Sequence, residues 1–311
     1  MSLHLLTHMD LPPHTGAGGF DHAAIDPRTD RCYVAHTAND AVDVIDCARN
    51  AYLRSIPGLP AVAGVLISER PALAFTSNRG EDTVGIFRPG DEDQPSANVA
   101  KVPVGVRPNG LAFDPARGTL VAANIGDPAR PGSCTVSIVD VAGRALRAAV
   151  SVPGRTRWAI YDRMADAFFV NISEPSCIVV LAGADPTRIA RTLTVPAVGA
   201  HGLDIDAATG RLFCACDDRQ LVALDAASGR ALGVVPLSGP PDVVFLDAER
   251  ARLYVAMGDP GVIDVIDTAA MKTIEVVPTE AGAHTTALDV KRRRLHVFLP
   301  RTHRAAVFAD E

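Results

Sequence analysis

Asp242-Val-Val-Phe-Leu-Asp247, Arg252-Leu-Tyr-Val-Ala-Met257 and Val262-Ile-Asp-Val-Ile-Asp267 are three short apolar runs in succession. The same template appears near the start of the chain as Asp21-His-Ala-Ala-Ile-Asp26, Arg31-Cys-Tyr-Val-Ala-His36 and Ala41-Val-Asp-Val-Ile-Asp46. Runs of this length, rich in β-branched residues and bounded by Asp, Gly, Pro and Asn, read as strands, and no sustained helical period interrupts them. Taking the residue that closes the first run as an anchor gives Asp26, Ser68, Asp114, Asp162, Asp206, Asp247 and Asp289, at intervals of 42, 46, 48, 44, 41 and 42. A fourth run follows in each unit but the last, as in Tyr52-Leu-Arg-Ser-Ile56 and Lys272-Thr-Ile-Glu-Val276. Four strands repeated seven times predict an all-β fold, a seven-bladed β-propeller of four-stranded antiparallel blades in one domain spanning 1–311. The last unit ends one run short, and Leu3-His-Leu-Leu-Thr-His8 has nothing else to pair with. The N-terminal run is therefore expected to close the seventh blade and remove an exposed sheet edge.

Two segments carry a likeness. Arg31–Asp46 and Asp114-Pro-Ala-Arg-Gly-Thr-Leu-Val-Ala-Ala-Asn124 resemble the YVTN-type β-propeller repeat, named for a Tyr-Val-Thr-Asn run in its second strand. The resemblance spans nearly the whole chain. It implies the propeller and leaves activity open, because relatives of this architecture include lactonases, lyases and extracellular binding proteins. No stretch matches a catalytic motif of the 6-phosphogluconolactonases or of the antibiotic-opening lyases.

Composition excludes several classes. Apolar residues make up 48% of 311 and charged residues 21%, which is the balance of a chain that folds around a core. Net charge is −6, and Lys291–Arg294 is the one basic block, so a nucleic acid or an acidic membrane surface is not an expected partner. The N-terminus lacks a basic start followed by an apolar stretch, and no run approaches a membrane span, so the expected location is the cytoplasm. The six cysteines form no CxxC pair and are expected to be reduced thiols; Cys214 and Cys216 should share one face of a strand as core packing.

Repeat phase converts into position. The first strand of each blade lines the central channel, and five residues before each anchor stand Asp21, Ala63, Asn109, Arg157, His201, Asp242 and His284 at the channel mouth. Ten residues after the anchors, the second strand ends with His36, Asn78, Asn124, Cys216 and Met257, and with Asn171 in the slightly shorter fourth unit. His201, Asp242, His284 and Asp21 fall on four consecutive blades, with His36 expected above Asp21. Two imidazoles with carboxylates can bind one divalent transition metal ion and leave positions open for water or substrate. Without a metal, Asp242 would orient His201 and His284, the expected catalytic pair, as acid and base. Arg157, Asn109, His36, Asn124 and Asn171 are the expected substrate-binding residues, suited to a small polar or anionic molecule. The sequence thus points to a hydrolase or lyase with a small-molecule substrate. The alternative is a non-catalytic propeller that binds a ligand or a protein through the same face.

The six Asp anchors recur too regularly for chemistry and read as turn caps. Trp158, the single tryptophan, is expected by strand alternation to point between blades as packing. His4, His8, His296 and His303 read as surface or packing residues. The long segments 88–98 and 125–133 could wall a pocket or present a protein epitope.

Overall fold

A computed structural model describes residues 2–90 and 99–311. Seven four-stranded antiparallel sheets stand in a ring, and in six of them the strands follow chain order from the channel outward. In blade 1 these are Ala23–Asp26, Arg31–His36, Ala41–Asp46 and Ala51–Pro57. Blade 7 runs Thr285–Asp289, Arg294–Leu299, Arg304–Asp310 and then Leu3–Asp10, which pairs from Leu3 opposite Asp310 to Asp10 opposite Arg304. The N-terminal run closes the ring as its lack of another partner required.

Burial explains why the runs look as they do. Second strands lie between neighbouring blades and are covered on both faces, so Ala167–Ile172 and Arg252–Met257 are buried from end to end. Fourth strands face solvent on one side and alternate, as in Lys272–Pro278. Each of the seven seams between blades holds its own apolar cluster; Phe169, Ile178, Leu203, Leu212 and Cys214 fill the seam of blades 4 and 5. A fully buried side chain of this size contributes roughly 1.5–3 kcal/mol. Cys214 and Cys216 are both in that cluster, as their spacing implied.

The Asp anchors cap turns. The carboxylate of Asp26 accepts from the Arg28 amide at 3.0 Å, that of Asp114 from Ala116 at 2.9 Å, and that of Asp289 from Arg292 at 3.0 Å. Each satisfies backbone donors that the hairpin leaves free.

One local feature corrects the sequence reading. In blades 2 to 5 the channel strand slips register near its start, between Val62 and Gly64, Pro108 and Leu111, Thr156 and Ala159, and Ala200 and Gly202. The extra residue of such a bulge rotates the side chains that follow. Trp158 lies in the slip of blade 4, so simple alternation misplaces it. Its indole packs against the apolar clusters of the seams of blades 4 and 5 and of blades 6 and 7, and it also meets the imidazole of His22 from blade 1, with ring centroids 4.2 Å apart. Gly110 is the matching residue of blade 3, and a Cβ there would stand 2.5 Å from the Arg157 carbonyl oxygen, so close backbone approach requires glycine.

Segment 88–98 falls mostly outside the described residues. Segment 125–133 begins beside the loop that enters the blade 3 channel strand, where the Ile125 amide donates to the Arg107 carbonyl at 3.0 Å. No helix among the described residues is long and apolar enough to cross a membrane.

Candidate functional site

The mouth of the channel is a ring of side chains in mutual contact. His201, in the channel strand Ala200–Asp206 of blade 5, is clamped between two carboxylates. Its Nδ1 lies 2.7 Å from Asp217 Oδ1 and its Nε2 lies 3.4 Å from Asp242 Oδ1. Burial alone would lower the imidazole pKa, but the Asp242 charge and the Asp217 hydrogen bond outweigh it and raise it to about 9. Asp242 is desolvated, yet the facing His201 charge holds it well below the usual carboxylate range. Asp217 is also lowered, since His201 and then Arg157 overcome its burial. His201 is consequently an imidazolium at neutral pH.

His284 is arranged differently. Its Nδ1 donates to the Gly282 carbonyl at 2.8 Å, which in the neutral ring leaves Nε2 as the bare acceptor. That nitrogen is 3.9 Å from Asp242 Oδ2, and the side chain is 32% exposed against 15% for His201. Two histidines with unlike hydrogen-bond partners therefore flank one carboxylate.

The other half of the mouth is basic. Arg157 Nη1 approaches His201 Nε2 at 3.4 Å and Nη2 approaches Asp217 Oδ2 at 3.5 Å. Arg79 donates to Asn109 Oδ1 and pairs with Asp21 Oδ2 at 3.0 Å. Arg107 and Arg155 are exposed beside them. Arg155 has its pKa lowered, first by partial desolvation among its neighbours and then by the positive charges of Arg157, Arg107 and Arg79. The buried Nε atoms of Arg79 and Arg157 have no acceptor. Four guanidinium groups are thus clustered on one side of the mouth, a donor set of the kind that pairs with carboxylate or phosphate.

The expected residues divide three ways. His201, Asp242, His284, Arg157 and Asn109 come together at the mouth. Asp21, the fourth of the expected metal set, is held by Arg79 and by His22 at 3.4 Å instead of turning to the histidines. The second-strand residues lie deeper than expected. Asn124 is fully buried, its Nδ2 spent on Thr135 and Ser137 at 3.0 and 2.9 Å. Asn171 donates to the His201 and Gly202 carbonyls at 2.9 and 3.1 Å, so it positions the His201 strand. His36 is buried away from the arc, with Nδ1 on Asp43 Oδ2 and Nε2 on His14 Nδ1, each at 2.7 Å.

Sequence reasoning missed Arg79 and Asp217, and a signal existed for both. They occupy one template position, immediately after the second-strand residues Asn78 and Cys216. Arg107 and Arg155 likewise share a position, two residues before Asn109 and Arg157.

Below the mouth, Trp158 and His22 form a floor. Burial lowers the His22 pKa and keeps the imidazole neutral beside the indole. Beneath them a separate cavity of about 400 Å³ opens toward the opposite face, lined by Ala24, Leu66, Ala112, Ile160, Asp204 and Phe245 among others. Asp204 accepts from the Ile205 and Leu246 amides at 2.8 Å each, and its burial raises its pKa to about 6.

No family model and no curated protein matches the chain, so the likeness to the YVTN repeat stays a resemblance. Solved structures match in shape. A chain of Kuenenia stuttgartiensis hydrazine synthase superposes with a TM-score of 0.82 at 10% identity, covering 96% of this chain and 97% of that one. A chain in a crystal structure of the mitotic checkpoint complex superposes at 0.80 and 11% identity, covering 98% and 91%. At such identities the likeness shows a shared fold, and the fold it shows is the seven-bladed β-propeller.

Proposed function

We propose that the channel mouth is an active site for a small molecule bearing a carboxylate or phosphate, on which it performs proton-transfer chemistry of the hydrolase or lyase type. The observation that carries this reading is the juxtaposition in one mouth of two unlike halves, the arginine cluster on blades 2 to 4 and the His201–Asp217–Asp242–His284 group on blades 5 to 7. The arginines anchor the anion. His284 Nε2, bare and solvent-facing, is the base that takes a proton from substrate or water. His201, an imidazolium held by two carboxylates, is the acid that protonates the leaving group. Trp158 and His22 close the site from below and keep the reacting atoms at the mouth.

The same His201, Asp242 and His284 donors could instead hold a divalent ion, with Asp21 released from Arg79. The acid–base version is favoured because Arg157 stands 3.4 Å from the His201 nitrogen that a cation would occupy.

The test is turnover of carboxylated lactones, hydroxy acids and phosphate esters, with and without chelator, by the native chain and by His284→Gln. Turnover that is insensitive to chelator and falls at least about 100-fold in the variant is expected, the usual size of a general-base contribution. Loss of turnover on chelation would move the reading to the metal. Anion binding without turnover of any class would leave the binding module.

A further inference from the structure

At the bottom of the seam between blades 7 and 1, at the opposite end of the channel strand from His284, three side chains with metal-binding atoms converge. Sγ of Cys47, a carboxylate oxygen of Asp289 and a ring nitrogen of His296 all lie within 4.8 Å of one another, and all three residues are buried. Each comes from a different piece of structure. Cys47 opens the turn after the third strand of blade 1, Asp289 ends the channel strand of blade 7, and His296 sits mid-strand in Arg294–Leu299.

His296 is the observation that asks for a ligand. It is 0% exposed, and neither ring nitrogen has a hydrogen-bond partner. Burial without a partner drives its pKa down to about 4, so the ring is neutral and both of its nitrogens are unsatisfied. A packing histidine ordinarily finds a carbonyl or hydroxyl, and this one finds a thiol and a carboxylate instead. Cys32, also fully buried, belongs to the same apolar seam as Cys47.

We propose that Cys47, Asp289 and His296 form a structural zinc site that pins the last blade to the first, with water completing the tetrahedron. Thiolate, imidazole and carboxylate are the donor types zinc takes in four-coordinate sites. Charge balance suits the surroundings: one thiolate, one carboxylate and a neutral imidazole cancel the two charges of the ion. Phe20, Val34, Ile45 and Phe298 share the seam with it, and Arg294 Nη1 donates to the Cys47 carbonyl at 3.4 Å. Asp289 keeps lone pairs for the ion while accepting from Arg292, and Arg292 in turn pairs with Asp30 of blade 1 at 2.7 Å. The Cys47 thiol, pushed up to about 12 by burial, is protonated before binding. Zinc forms the S–Zn bond as the S–H bond breaks, and the proton leaves to solvent.

The experiment loads tag-free, metal-stripped full-length protein with Zn²⁺ or Co²⁺. About one ion per chain, at least one proton released per ion, a thiolate-to-cobalt charge-transfer band and a higher thermal midpoint are expected. Cys47→Ser should lose the band, and the His201→Ala/His284→Ala double variant should keep it, which separates this site from the mouth. X-ray absorption of the zinc-loaded native chain needs no variant, and it should show sulfur at about 2.3 Å with nitrogen or oxygen at about 2.0 Å. An ion bound without sulfur in its shell, or no uptake at all, would overturn the proposal.

Discussion

Trp158 of blade 4 spans the channel to stack at a tilt on His22 of blade 1, 4.2 Å between ring centroids. The contact divides the axis of the ring into an upper polar cup and a lower, mainly apolar cavity. Because Trp158 is the only tryptophan, its fluorescence reports on that floor alone. Trp158→Ala should join the two spaces and destabilise the fold by about 3 kcal/mol, the low end for a large-to-small change of an aromatic residue that is not fully buried. Urea unfolding measures the loss, and an unchanged midpoint would mean that the indole is not a packed element.

Anion recognition should depend on the arginines singly. Arg79→Ala and Arg157→Ala are each expected to weaken binding of inorganic phosphate or a small carboxylate about 10- to 100-fold, the worth of a charge-assisted hydrogen bond. Titration followed by Trp158 emission gives the affinity. Equal affinities in the native and variant chains would remove the cup from consideration as an anion site.

His201 carries a pH signature. Its pKa is raised to about 9 in the folded chain against 6.5 in the unfolded one. Its contribution to stability is therefore complete below pH 6.5 and disappears as pH climbs through about 9. Turnover that uses it as the acid should fall over the same upper limb. Asp217→Asn should pull the His201 titration down toward 6.5, and imidazole NMR shifts would record it; a His201 that already titrates near 6.5 in the native chain contradicts the clamp.

Asp310 is a buried anchor near the end of the chain, 3% exposed at its side chain. It binds Arg252, accepts from Tyr254 at 2.5 Å and pairs with Arg250 at 3.1 Å, joining blade 7 to blade 6. Removing one partner of a buried ion pair strands the other, so Asp310→Ala should cost about 3–5 kcal/mol by denaturant unfolding. A loss below about 1 kcal/mol, the range of an exposed pair, would show that the network is solvated in solution.

The repeat was legible because a propeller forces the same burial on the same strand in every blade, and seven copies average out local accident. The mouth was legible as a ring for the same reason, and His201, Asp242, His284, Arg157 and Asn109 fall where phase put them. What phase could not convey was side-chain direction. The register slips in blades 2 to 5 turned Trp158 into the channel. The second-strand residues His36, Asn124 and Asn171 lie in the blade interior, where buried partners take up the His36 ring nitrogens and the Nδ2 of both asparagines. Arg79 and Asp217 were hidden because a single template position had been taken as the site, whereas the cup draws on three.

Closure of the ring by Leu3–Asp10 has a temporal side. Asp10 and Arg304, which meet at 2.8 Å, are 294 residues apart. At roughly 5–20 residues per second of synthesis, the opening strand waits on the order of 15–60 s for its partner to emerge. During that interval Leu3–Asp10 has no strand to pair with, so the nascent chain carries it unpaired until the third strand of the seventh blade has been made.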